Sequence, residues 1–287
     1  MATVLITGCS SGFGHLATRQ IAAAGHTVFA TMRDPVGRNR AAADELSGLD
    51  NVRVLALDVT SDESVANAIA GIDAALDCVI HNAGMGVNGV AEASTPAQLS
   101  YVLDVNVVGV HRLNRAVLPA MRAQRSGLLI YVSSGLGRTV LPYLSGYCAS
   151  KFALEAYAES LAYEVITHGI ETVIIQPGAY PSNFRANILD TDDAARLAGY
   201  PDEQAEAEQS DAQTKQYLAS GAAPDPRDVS NAMLMMLEAT PGTRPLRVAL
   251  RKDSGGLKMI NQICSEVQGA MLRGMRLEHR LPKRPQL

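Results

Sequence analysis

Seven short runs of apolar, largely β-branched residues recur along the chain: TVLIT (3–7), TVFAT (27–31), VRVLAL (52–57), CVIH (78–81), GLLIYVS (127–133), TVIIQ (172–176) and LRVAL (246–250). Their apolarity is continuous rather than alternating, as expected of strands buried on both faces of a parallel sheet covered by helices. Helical patterns separate them. HLATRQIAAAG (15–25) closes on Gly25, a residue suited to the left-handed turn after a helix end. SDESVANAIAG (61–71) opens on Ser61 and Ser64 with Asp62 and Glu63 beside them, a start signal that complements the helix dipole. The alternation predicts an α/β fold, a doubly wound parallel sheet of about seven strands with helices on both faces, as one domain over residues 1–287.

Two regions break the alternation. Residues 183–225 form an Ala-rich, acidic stretch that ends in GAAPDPRD (221–228) and follows directly on a strand end. Ligands of open α/β sheets bind beyond the carboxyl ends of the strands, so this insertion is read as a helical substrate lid. Residues 251–287 read as a C-terminal helical extension with eight basic residues against three acidic. Within it Ile260, Ile263, Val267, Met271 and Met275 form an apolar stripe at helical spacing, read as core, lid or interface rather than as a membrane anchor. The basic run is read as a solvated face, with a membrane surface as the minor alternative.

Composition narrows the function classes. With 47% apolar and 19% charged residues over 287 positions, the chain has the makings of a large core. A net charge of −4 leaves no electrostatic footprint for nucleic acid. No apolar stretch reaches the roughly 20 residues that cross a bilayer, and the first strand pattern begins at once, so a soluble cytoplasmic chain is expected. Cys9, Cys78, Cys148 and Cys264 are scattered without ligand spacing, and His15, His26, His111 and His168 lack metal partners nearby in sequence. Neither a disulfide nor a metal site is expected.

The candidate chemistry lies in two motifs. TGCSSGFG (7–14) follows a buried strand and opens a helix. Gly8 there permits a tight turn, Gly12 close approach of backbone to a pyrophosphate, and Gly14 close packing of helix on strand, with the helix N–H groups attracting phosphate. Tyr147 and Lys151 stand four apart in YCASK (147–151), on one side of a helix. An ammonium beside the phenol would favour its ionised form, making Tyr147 a candidate general acid or base. Ser133 and Ser134 end the preceding strand, and a serine hydroxyl there could hydrogen-bond a reacting oxygen.

Together these residues resemble the short-chain dehydrogenase/reductase family. TGCSSGFG matches its TGxxxGxG, HNAG (81–84) is similar to its NNAG with His81 in place of Asn, and VLDVNVVG (102–109) places Asn106 at the family's asparagine. The serine pair and YCASK match its Ser and YxxxK at the usual 13-residue step from Ser134, which favours Ser134 over Ser133; PGAYPSNF (177–184) resembles the segment beside the nicotinamide. The resemblance spans roughly residues 3–184. It implies a Rossmann-like fold and an oxidoreductase that interconverts a ketone or aldehyde and an alcohol by hydride transfer. Tyr147 would exchange the proton with the substrate oxygen, Lys151 lower its pKa and hold the ribose, Ser134 orient the carbonyl and Asn106 hold a water behind Lys151.

The cofactor is expected along Gly8, Ser10, Ser11, Gly12, Phe13 and Gly14, then at Arg33, Asp58, Val59, Asn82, Ala83 and Gly84, and further along at Tyr147, Lys151, Pro177, Gly178, Tyr180 and Ser182. NADP(H) is preferred over NAD(H), because Thr31 and Met32 stand where an NAD enzyme carries an acid and Arg33 follows; Asp34, before Pro35, is assigned to a turn. The wording of the motifs is similar to hydroxysteroid and retinol dehydrogenases, which implies a hydrophobic substrate, and Leu141, Tyr143, Leu144, Tyr180 and Phe184 are candidate lining residues. Small residues at Ala149, Ala153, Ala156 and Ala158 allow close helix packing, and with the resemblance they imply a homodimer or homotetramer. A non-catalytic dinucleotide-sensing regulator and a nucleotide-sugar epimerase or dehydratase remain the alternatives.

Overall fold

The computed structural model describes residues 1–250 and 254–282. Arg251, Lys252, Lys283 and Arg284 of the basic C-terminal run lie outside the described residues. In chain order the elements are β1 (Thr3–Ile6), α1 (Gly12–Ala23), β2 (Thr27–Met32), α2 (Arg40–Ser47), β3 (Val52–Ala56), α3 (Asp62–Ala70), β4 (Cys78–His81), β5 (Gly86–Asn88), α4 (Pro96–Leu103), α5 (Gly109–Gln124) and β6 (Gly127–Val132). They continue with α6 (Ser145–Val165), β7 (Ile170–Pro177), β8 (Ile188–Asp190), α7 (Ala194–Leu197), α8 (Pro201–Ala219), α9 (Arg227–Glu238), β9 (Arg247–Leu250) and α10 (Gly255–Gly274).

The main sheet has seven parallel strands in the order β3-β2-β1-β4-β6-β7-β9. Alternate residues of each strand enter opposite cores. Val4, Ile6, Val28 and Ile130 pack with Ile21 of α1, Leu46 of α2 and Met233 of α9. Leu5, Phe29, Leu129 and Ile174 pack on the other face with Val65 of α3, Leu113 of α5 and Leu154 of α6. Both faces are therefore covered, and the continuous apolarity of the strands follows. The chain runs outward from β1 in one direction and from β4 in the other, so the crevice for a ligand opens above the carboxyl ends of these two neighbours.

The ends of the helices follow local chemistry. Ser61 accepts from the Ser64 N–H at the start of α3, and Thr95 with Gln98 forms a reciprocal capping box on α4. The 183–225 stretch departs from an all-helical lid. It begins with a single 3₁₀ turn and then β8, which pairs in parallel with β5 as a separate two-stranded ribbon, before α7 and α8. Gln98 Nε2 donates to the Asp190 carbonyl at 2.8 Å and ties this ribbon to α4.

Candidate active site

The glycine loop is built as its spacing predicts. Gly8 has φ +73°, and a Cβ there would lie 3.0 Å from Ala83 Cα. A Cβ on Gly14 would meet the Gly8 carbonyl oxygen and Asn82 Nδ2 at 2.5 Å. Gly12, at φ +59°, opens α1, and the Ser11 side chain makes no capping hydrogen bond, so the helix N-terminus keeps donors for an anion. Across the switch point Asn82 Nδ2 donates to the carbonyls of Thr7 (2.9 Å) and Gly8 (3.1 Å), while the N–H groups of Asn82 and Ala83 both donate to Thr7 Oγ1 at 3.0 Å. The HNAG segment thus braces the glycine loop. His81 instead contacts α5 and β6. It is buried, stacked on Tyr131 at 4.8 Å and hydrogen-bonded to Asn114 at 2.8 Å, and burial drops its pKa to about 4, so it stays neutral.

A cleft of about 940 Å³ runs from this loop to the 183–225 segment. Every cofactor residue expected from the sequence lines it: Gly8, Ser10, Ser11, Gly12, Phe13, Arg33, Asp58, Val59, Asn82, Ala83, Gly84, Tyr147, Lys151, Pro177, Gly178, Tyr180 and Ser182, except Gly14, which lies behind the wall. The cradle that a Cβ would fill and the uncapped helix start fit the pyrophosphate of a nicotinamide dinucleotide. Asp34 has φ +49°, and its carboxylate accepts from the N–H groups of Gly37 and Arg38 at 2.9 Å each, so it turns the chain as expected and its charge is held by the turn. The turn also brings Arg38 and Asn39 to the cleft, beside Arg33, whose Nη1 donates to the Tyr101 hydroxyl at 3.2 Å. Sequence reasoning missed Arg38; its signal is the position five residues after Arg33, beyond a Pro-Val-Gly turn.

Tyr147 sits in the first turn of α6, half-buried, with its ring 5.4 Å from that of Phe184. Burial pushes its phenol up to about 12, against a hydrogen bond from Ser134 that works downward. The two serines differ in orientation. Ser134 faces the phenol, whereas Ser133 is buried and donates to Glu155 Oε1 at 2.8 Å.

Lys151 is 4% exposed, donates from Nζ to the Val132 carbonyl at 2.9 Å, and lies 5.7 Å from the Tyr147 ring centroid. Burial lowers its pKa to about 8, while Glu155 supports the charge. The shift of the phenol is therefore upward, opposite to the one expected, because loss of solvent outweighs an ammonium that points at a backbone carbonyl.

Asn106 lies in a π-helical turn, Asp104–Val108, that joins α4 to α5 and rotates its side chain inward. Its Oδ1 accepts from Met85 N–H at 2.9 Å, and its Nδ2 donates to the Met85 carbonyl and to Ser150 Oγ at 2.8 Å each. Both amide hydrogens are taken, so the side chain fixes the strand-end segment. Leu141, Tyr143, Leu144, Tyr180 and Phe184 all line the cleft, as expected, joined by Met85, Leu189 and Leu218. Among the described residues no cluster of His, Cys, Asp and Glu could hold a metal, and all four cysteines are free.

Behind the cleft lies a buried charge cluster that the sequence does not announce. Arg247 Nε donates to Glu155 Oε2 (3.0 Å), and its Nη1 and Nη2 donate to the two carboxylate oxygens of Glu159 (3.0 and 2.6 Å). Arg138 lies 3.0 Å from Glu155 and 3.1 Å from Glu159, and Gln176 donates to Glu155 at 2.8 Å.

Residues 2–193 match the family described as short chain dehydrogenase. A 3-ketodihydrosphingosine reductase of Bacteroides thetaiotaomicron is 38% identical over 64% of this chain, which spans 66% of that relative's length. The human 17-beta-hydroxysteroid dehydrogenase type 1 is 37% identical over 82% of this chain and 74% of its own. A solved short-chain dehydrogenase from Streptomyces avermitilis superposes with a TM-score of 0.77 at 29% identity, covering 96% of this chain and 97% of that one. With the glycine cradle, the bracing HNAG segment and the Ser134, Tyr147 and Lys151 grouping gathered at one switch point, the chain belongs to the short-chain dehydrogenase family.

Proposed function

We propose that the protein is an NADP(H)-dependent oxidoreductase that interconverts a hydrophobic ketone or aldehyde and its alcohol. The observation that carries this reading is the Tyr147 phenol, facing Ser134 and stacked near Lys151, at the inner end of a cleft whose outer end is the glycine cradle. When bound, the nicotinamide supplies or accepts the hydride. The chain does the proton work. A phenol held neutral by burial is ready to give its proton to a carbonyl oxygen as negative charge develops there, and the nearby Lys151 ammonium stabilises the phenolate left behind. Ser134 Oγ, which accepts from the Leu136 N–H at 3.1 Å and donates to the phenol, would turn its single proton to that same oxygen when a carbonyl binds.

The preference for the 2′-phosphate rests on Arg33 and Arg38 at the rim and on an Asp34 carboxylate saturated by its own turn. The apolar wall of Leu141, Leu144, Phe184 and Leu218 supports a hydrophobic substrate, in keeping with the sphingoid and steroid names of the relatives. A homo-oligomer through α6 is in keeping with Ala149, Phe152 and Ala156 on its exposed face.

The test is Tyr147→Phe, which keeps the ring beside Gly86 and Phe184 and removes only the hydroxyl. NADPH affinity is expected within a few fold of wild type, and turnover of steroid or sphingoid ketones is expected to fall by at least about 10². Unchanged turnover would refute the mechanism. Wild-type protein that binds NADPH yet turns over no carbonyl or alcohol would identify a dinucleotide sensor instead.

A further inference from the structure

Helix α10 packs through Leu257 and through polar contacts: Asn261 Nδ2 donates to Gln176 at 2.7 Å and Gln268 Nε2 to Glu159 at 3.2 Å. Its other side carries the apolar stripe outward. Met259, Ile263, Val267 and Met271 are 63, 53, 55 and 61% exposed, and because each step of four residues turns the helix by about 40°, they span an arc of about 120° on one side; Met275, also exposed, follows the helix end, and Ile260 alone of the expected stripe turns partly inward. The stripe is therefore neither core nor lid. Isolated exposed apolar residues need no explanation, but four on one side of a helix do.

The charges beside the row say what covers it. Lys258 stands at one end and Arg273 and Arg276 at the other, all exposed and, among the described residues, without an ion pair; Glu266 is the one acid within α10. The sequence adds Arg251 and Lys252 before the helix and Lys283 and Arg284 after it. An antiparallel pairing of two copies centred on Val267 would match Ile263 with Met271, but it would bring the Lys258 end of one copy beside the Arg273 and Arg276 end of the other, twice. Like charges would meet at both ends. A single convex helix also offers no groove to a peptide, whereas it suits a flat boundary that is apolar within and anionic at its rim.

We propose that α10 is an interfacial helix that lays the protein on an anionic phospholipid surface, with Met259, Ile263, Val267 and Met271 entering the headgroup boundary and the basic residues meeting lipid phosphates and carboxylates. No helix among the described residues is long and apolar enough to cross a membrane, so the attachment lies along the surface. The proposal does not depend on the dehydrogenase chemistry.

The test is co-sedimentation of the full chain with phosphatidylcholine vesicles and with vesicles containing about one-third phosphatidylserine. Binding is expected to the anionic vesicles and to weaken at least about tenfold between about 0.1 and 0.5 M NaCl, as screening removes the basic contribution. Val267→Asp/Met271→Asp and Arg273→Glu/Arg276→Glu are each expected to abolish or cut binding at least about tenfold. Glu266→Lys is expected to tighten it. All three should keep the wild-type unfolding midpoint, because the changed side chains are exposed. Failure to bind anionic vesicles, or equal binding by both disruptive variants, would overturn the proposal. A concentration-dependent dimer dissolved by Val267→Asp/Met271→Asp, without vesicle binding, would assign the row to a second copy instead.

Discussion

Removing the Arg33 guanidinium is expected to cost NADPH more than NADH, by an amount the rim geometry bounds. Arg33 is exposed and, among the described residues, its guanidinium is held by Tyr101 at 3.2 Å, so it can turn toward a phosphate, but solvent screens whatever pair it makes. A charge-assisted bidentate contact contributes about 1.5–3 kcal/mol when shielded and an exposed ion pair about 0.2–1 kcal/mol. A rim site between these limits gives about 1.4 kcal/mol, or a tenfold rise in KM for NADPH in Arg33→Ala, with NADH changed less than about twofold. Arg38 adds a second cation from the same turn, so Arg33→Ala/Arg38→Ala is expected to lose about 30- to 100-fold and to flatten the salt dependence of NADPH binding. Asp34→Asn serves as the control. Its carboxylate faces the N–H groups of Gly37 and Arg38, so removing the charge should alter the NADPH/NADH ratio less than about threefold. The assay is kcat/KM for both cofactors with one carbonyl substrate. A wild-type preference for NADH, or NADPH kinetics unmoved in Arg33→Ala, would refute the reasoning.

Arg247→Leu should lower stability by about 3–5 kcal/mol, because it strips the shared cation from Glu155 and Glu159, both under 4% exposed, and calorimetry at pH 7 would show it. Burial works to raise the Glu159 carboxyl, yet Arg247 and its other partners hold it below the usual range, so its contribution is complete above the unfolded pKa and fades as pH falls; the gap between variant and wild type should therefore narrow in acid. Gly14→Ala, whose methyl would sit 2.5 Å from the Gly8 carbonyl oxygen and Asn82 Nδ2, should displace the loop and weaken NADPH binding at least about tenfold by calorimetric titration. If residues 183–225 close over substrate, limited proteolysis there should slow only with cofactor and a ketone or alcohol bound together; unchanged cleavage would make the segment a surface elaboration.

The seven strands of the main sheet were legible because each is a β-branched run buried on two faces, and their ends fall within one residue of the apolar runs except where β7 begins two residues early, at Ile170. There the polar Glu171 is carried into the sheet by its buried ion pair with Arg244, a partner far along the chain. The ribbon of β5 and β8 was not legible, since GVN and ILD are too short to show a period. The π-helical turn around Asn106 likewise has no signature in DVNVV. At the site, spacing and resemblance brought together Ser134, Tyr147 and Lys151. What spacing could not convey was direction: Lys151 Nζ faces the Val132 carbonyl, Asn106 faces Met85, and Arg247 reaches two carboxylates about 90 residues away in sequence.

The small ribbon has a consequence for the order in which the chain assembles. Pairing Gly86 with Ile188 closes a loop of about a hundred residues for only three matched positions, a poor exchange of chain entropy for hydrogen bonds. It can become favourable only after β6, β7 and α6 have brought the two ends together. The ribbon and the segment anchored on it should therefore be among the last parts to form and the first to open under native conditions. Amide exchange would show β5, β8 and α8 as one weakly protected unit, opening while β1, β4 and β6 stay closed. The cleft would then owe its access to a late-folding clip instead of a hinged flap, and substrate entry and the final step of folding would cross the same barrier.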